Sequence, residues 1–330
     1  MNCARNCLMV MVCLFSSVGA GHSQDGLVEN CLATPAIFEG TTLANVADRY
    51  FADIDYRHAI LLATNARAGS GFPFIGNPSH LPVGEKLCVP AITEAIRLRN
   101  RYLTYLKAVR DMALPEPSER SNNLSPIDLS KPATVVSWVR PPQAQGYQTN
   151  LGKTIPASAD IWVTLAPGLR EFCTGYTKAE GADLAAVTLR LEQRLGLPPN
   201  SAKTSFVEFE VANPGNPDNI FRPCASADVT TKTCDLGPPK ACDASAPSAE
   251  QCRRHAEFFT NQYYQSYGVS LPTEFPWTSL GYTFDWALGP VGLNGKAGFV
   301  VYGESEYVIP KGANITVKAI HSTAEYCAVR

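Results

Sequence analysis

The chain has no basic excess: 28 Lys and Arg stand against 30 Asp and Glu in 330 residues, a formal net charge of −2. Phosphate backbones are held by clustered cations, so this balance argues against a nucleic-acid partner. After the opening segment no apolar run approaches the ~20 residues that a membrane helix needs, and no membrane span is expected. CxxC and HxxxH spacings are absent, which leaves the cysteines without a zinc pattern. No Gly-x-Ser-x-Gly elbow accompanies the few histidines, no glycine loop of the phosphate-binding kind is present, and there is no internal repeat. Nothing in the pattern implies a metal or organic cofactor.

What the chain does have begins with residues 1–20. A single Arg5, an apolar run from Leu8 to Phe15 and the small residues Val18-Gly19-Ala20 form the three zones of a secretory signal peptide, with a cut expected after Ala20. Cysteine usage points the same way. Eight cysteines lie beyond that segment: Cys31, Cys88, Cys173, Cys224, Cys234, Cys242, Cys252 and Cys327. An even number in an exported chain reads as a set of disulfides, and the expected location is periplasmic or secreted. Apolar residues at 45% and charged residues at 18% are ordinary for globular domains.

The stretch from Ala36 to Pro90 carries the clearest local pattern. A short extended segment at Ala36 to Phe38 leads into a turn at Glu39 and Gly40. Thr41 and Thr42 are N-cap candidates for a helix whose Leu43, Val46, Ala47 and Tyr50 share one face. Tyr56, Ile60, Leu61 and Ala63 to Thr64 suggest a second helix ending at Asn65, and Leu87 to Val89 reads as a closing strand stopped by Pro90.

This βααβ order resembles the LysM module, a small carbohydrate-binding fold of bacterial cell-wall proteins and chitin receptors. The resemblance rests on Gly40-Thr41-Thr42-Leu43, Val46-Ala47, Arg49-Tyr50, Asn65 and the closure Leu81 to Pro90. An inserted loop, Ala66 to His80, replaces the usual short turn and is similar to the variant LysM of bacterial envelope-organising proteins. The resemblance implies binding of N-acetylglucosamine-containing glycan, peptidoglycan first and chitin second, along Gly40, Thr41, Thr42 and Leu43 and the loop from Asn65 onward. It also implies that the terminal strands pair, which would bring Cys31 and Cys88 side by side.

The remainder divides by composition. Residues 91–112 form an amphipathic helix pattern whose Arg97, Arg99, Arg101, Lys107 and Arg110 lie mostly off the apolar stripe, either as a solvated face or as an attraction to an anionic surface. Residues 113–157 are Pro-rich and read as a linker, with Thr134 to Val139 as a short strand that joins the second domain. Residues 158–330 read as a disulfide-bonded α+β domain with an antiparallel sheet, so the chain as a whole is expected to be α+β. Within it Trp277, Tyr282, Asp285 and Trp286 form either a sugar-stacking platform or an aromatic core, and Glu304, Glu306 and Asp285 are candidate carboxylates for glycoside hydrolysis. The expected function is a non-enzymatic, glycan-binding envelope protein; the alternatives are a secreted hydrolase localised by the module and a protein-binding scaffold.

Overall fold

The computed structural model describes residues 30–267, 275–289 and 298–329, and the expected signal peptide lies outside them. The chain is mixed α+β with an antiparallel sheet and four disulfides. Among the described residues no helix is long and apolar enough to cross a membrane.

The amino-terminal part is built from β1 (Cys31–Ala33), α1 (Leu43–Phe51), a 3-10 turn, α2 (Arg57–Asn65) and β2 (Val89–Pro90). The terminal strands pair antiparallel, Cys31 opposite Pro90, and Cys31 bonds Cys88. The regular opening strand lies upstream of the expected Ala36 to Phe38, which instead form an irregular ladder through Ala36 opposite Lys86. Thr42 caps α1 by accepting a hydrogen bond from the Asn45 amide at 3.0 Å. Leu43, Val46 and Ala47 then meet Ile60 and Leu61 in a small core closed by Ile37, Leu87 and Val89.

Helix α3 (Ile92–Met112) is shared by two cores. Ala95 and Leu98 pack on Ala59, Leu62 and Ala63 of α2. Further along, Tyr105, Ala108, Val109 and Met112 join Leu280, Tyr282, Phe284 and Trp286. Its basic face is partly self-neutralised, since Arg97 pairs with Glu94 and Arg99 with Asp55.

Residues 113–157 are not a linker. They contain β3 (Ala133–Val139), α4 (Pro141–Gln148) and β4 (Thr154–Pro156), and β3 is the middle strand of the seven-stranded sheet. The prolines are compatible because of where they fall. Pro141 and Pro142 occupy the first turn of α4, where amide donors have no helical partner anyway, and Pro156 ends an edge strand. The other strands are β5 (Ile161–Leu165), β6 (Ser205–Val211), β7 (Tyr282–Leu288), β8 (Phe299–Ile309) and β9 (Asn314–Ser322), in the order β4-β9-β6-β3-β5-β8-β7.

Two layers cover the sheet. Val135, Val163, Val207, Phe209, Tyr307 and Ile309 form one face under α4. The other face, with Val136, Trp138 and Phe206, lies under α5 (Ala166–Glu180), α6 (Leu184–Arg194) and α8 (Thr323–Tyr326). Helix α7 (Ala249–Tyr267) adds Phe258 against Trp162. Gly303 has no room for a side chain: a Cβ would stand 2.2 Å from the Thr283 carbonyl and 2.3 Å from that of Arg194. This close approach lets α6 sit directly over β7 and β8.

The three remaining disulfides are Cys173–Cys327, Cys224–Cys234 and Cys242–Cys252. The last two stitch the loop between β6 and α7, which is anchored further by Arg222. Its fully buried guanidinium donates to the carbonyls of Gly281, Ser125 and Val229 and to the Tyr307 hydroxyl. Peptide mapping without reduction should recover these four pairs and no alkylated cysteine after residue 20. The double variant Cys31→Ser/Cys88→Ser opens a 57-residue separation. Chain entropy alone puts its cost at about 4 kcal/mol, readable as a lowered urea midpoint.

Candidate functional site

The loops named by the sequence pattern meet the closing segment through a short backbone ladder. Ile37 donates to the Glu85 carbonyl at 2.8 Å, Gly84 to Ile37 at 2.9 Å, and Leu87 to Pro35 at 2.9 Å. The chain then turns at Gly40, with φ +79°, where the Thr41 amide reaches the Phe38 carbonyl and the Thr41 hydroxyl accepts from the Phe38 amide. This register sets Phe38 beside Val83, and both are unusually exposed for apolar residues, at 69% and 67%. Among the described residues the amides of Glu39 and Gly40 make no hydrogen bond. The result is an open rim that combines apolar surface with free backbone donors.

The expected binding residues divide in their roles. Gly40 and Thr41 form the turn of this rim. Thr42 is occupied in capping α1, and Leu43 is buried in the core at 4% exposure. Asn65 is also internal: its amide nitrogen donates to the Ile75 carbonyl and its oxygen accepts from the Ile75 amide. Both polar ends are consumed in holding the inserted loop. That loop in turn docks on the sheet unit, with the Arg140 guanidinium 3.7 Å from the centre of the Phe74 ring. It leaves Phe38 and Val83 uncovered.

Of the two readings of the aromatic stretch, the structure has the core. Trp277, Tyr282, Asp285 and Trp286 are at most 5% exposed, so none offers a face to solvent. Tyr282 donates to the Glu119 carbonyl and Trp286 to that of Leu197, while Tyr105 of α3 meets the Trp286 ring edge-on at 5.7 Å. Asp285 receives a two-pronged hydrogen bond from Arg190 at 2.9 and 2.7 Å. Its neighbour in this network, Glu304, is held by Arg194 at 2.8 Å. Both arginines lie over the Phe172 ring. Which side of the strand would be covered depended on α5 and α6, and α5 carries no strong sequence signal because Pro167 and Gly168 open it.

Two buried carboxyls stand apart from these ion pairs. Burial pushes Glu306 up to about 8, with the Arg222 charge pulling weakly the other way. Burial likewise raises Glu192 to about 7, against hydrogen bonds donated by Ser201 and Asn200. Burial lowers His58 to about 4 and also depresses His255; it brings Lys203 down to about 8.

The pH dependence of stability has a definite sign. An unfolded glutamate ionises near 4.3, so between pH 6.5 and 7.5 the folded chain holds protons on Glu306 and Glu192 that the unfolded chain has lost. The histidines act in the opposite sense, mostly below about pH 6.5 but still in part above it, and Lys203 acts mostly above about pH 8. Unfolding free energy should therefore fall by about 1 kcal/mol across that single pH unit, and Glu306→Gln should remove most of the fall. Urea titrations at three pH values measure it; a flat wild-type profile would contradict the assigned protonation. Neither family models, nor curated proteins, nor solved structures give a match to this chain.

Proposed function

We propose that this is an exported protein of the bacterial cell envelope whose LysM-like amino-terminal unit binds N-acetylglucosamine-containing glycan, peptidoglycan before chitin. The observation that carries this reading is the rim, where exposed Phe38 and Val83 flank the unbonded amides of Glu39 and Gly40 on a scaffold closed by Cys31–Cys88. A flat ring suits the apolar face of a pyranose, and a free backbone donor suits an N-acetyl carbonyl. Export draws support from the three-zone pattern of residues 1–20 and from the four disulfides, which persist in oxidising compartments.

The enzymatic alternative has less behind it. Glycoside hydrolysis ordinarily uses two carboxyl groups flanking the scissile bond. Asp285 is fully buried and Glu304 is tied to Arg194, which leaves Glu306 without an evident second carboxylate.

The test is retention of the purified full chain on insoluble peptidoglycan, with chitin as the comparison polymer. Gly40→Val is a poor probe, because φ +79° at Gly40 would strain any branched residue. Phe38→Ala and Val83→Ser change only exposed side chains and should leave the unfolding free energy within about 0.5 kcal/mol of wild type. Each should weaken retention several-fold, as expected for loss of about 1 kcal/mol at a shallow site. Undiminished retention in the double variant would move the site elsewhere. No retention of the wild type on either polymer would remove the glycan reading and leave the protein-binding scaffold.

A further inference from the structure

A cavity of about 800 Å³ lies between the sheet, the end of α6 and α7, far along the chain from the rim. Thr164 of β5, Glu306 of β8 and Trp277 all line it. Each carries a buried polar atom with no hydrogen-bond partner: the Thr164 hydroxyl, one Glu306 carboxyl oxygen and the Trp277 indole nitrogen. All three residues are 5% exposed. Thr164 and Glu306 are directly opposed in the β5–β8 register, so their side chains leave the same face of the sheet as neighbours. An unpaired buried polar group costs about 1–3 kcal/mol, and native chains carry few of them. With three beside one cavity, their partners have to come from whatever fills it.

We propose that this cavity is a binding site for a neutral sugar of one or two rings, recognised by Glu306, Thr164 and Trp277. The proposal is independent of the rim. Its chemistry rests on the hydrogen bonds that the three groups can exchange. Held neutral by burial, the Glu306 carboxyl both donates and accepts. A threonine hydroxyl does the same, and an indole N–H only donates. Sugar hydroxyls donate and accept as well, so one polyhydroxylated ring can meet all three groups. The wall also contains Trp162 and Phe275, whose rings are suited to the apolar face of a pyranose. The volume is within the usual range for small-molecule sites, about 300–1,000 Å³. Two cations border the cavity and both are engaged: the Lys203 ammonium donates to the Trp138 carbonyl at 2.6 Å, and the Arg140 guanidinium donates to the Ser201 carbonyl at 2.9 Å and lies on the Phe74 ring, while Asp160 adds a carboxylate, so the lining does not favour anions.

Isothermal titration of the full chain with glucose, N-acetylglucosamine and maltose, each against glucose 6-phosphate, tests the proposal. The background variant Phe38→Ala/Val83→Ser keeps any binding at the rim out of the signal. At least one neutral sugar should bind at pH 6.5, and Glu306→Leu and Thr164→Val should each weaken it tenfold or more. Glu306→Gln keeps a neutral donor and acceptor and should bind within threefold of the parent. Stability separates a functional role from a structural one. Removing an unpartnered buried group should hold or raise the melting temperature of Glu306→Leu and Thr164→Val even as binding is lost. The proposal is overturned if no neutral sugar binds, if glucose 6-phosphate binds more tightly than glucose, or if the two folded apolar variants bind as well as the parent.

Discussion

The inner face of α3 is the constraint on which the arrangement of this protein depends. Ala95 and Leu98 are fully buried against α2, and Tyr105, Ala108 and Met112, two turns on, are as deeply buried against the sheet unit. A helix is stiff over this distance, and its two halves cannot shift independently without uncovering one core or the other. Polar contacts add to the same joint. Asn200, in the loop after α6, donates to the Leu62 carbonyl at 2.8 Å, and Arg140 covers Phe74 from the inserted loop. The insertion thus has a mechanical role: it extends the small unit toward the sheet unit and is itself pinned by Asn65.

The small unit was legible in the sequence where its signals are local. Thr42 caps α1 because a hydroxyl one residue before an apolar-periodic run reaches the nearest free amide whatever the rest of the chain does. Gly40 was legible as a turn for the same reason. Asn65 was correctly placed at the end of α2, but its partner Ile75 lies ten residues on within an irregular loop, and no periodicity announces that pairing. The rim residues Phe38 and Val83 went unnoticed as binding candidates because apolar residues beside strands ordinarily read as core. Only the ladder register shows that they point outward.

The sheet unit was less legible because its decisive contacts span long separations. Strand β3 is paired with β6 some seventy residues away, and a proline-rich setting hid its central position. The proline positions carried the missing information: first turn of a helix and end of an edge strand are the places where an absent amide costs nothing. In the sequence of β6, Phe206, Glu208 and Glu210 alternate with Val207, Phe209 and Val211, a pattern that implies one wet face. In the structure Phe206 is covered by Trp138 and Tyr326, and Glu208 is met by Arg170 of α5, so only the Glu210 end stays open. Helices absent from the local pattern decided which face was dry.

The same logic explains why an aromatic and acidic stretch that resembles a sugar platform became a core, and why one part of it did not settle. Most polar tips in this region find partners as they are buried: Tyr282 on Glu119, Trp286 on Leu197, Tyr267 on Trp277, and Asp285 on Arg190. A fold able to satisfy these groups had the means to satisfy Trp277, Thr164 and Glu306 too, or to replace them with apolar residues of similar size at a gain in stability. Their side chains instead remain unpaired around a roomy space. Where polar pairing lapses at three side chains around one cavity, the partners for those groups have to come from outside the chain.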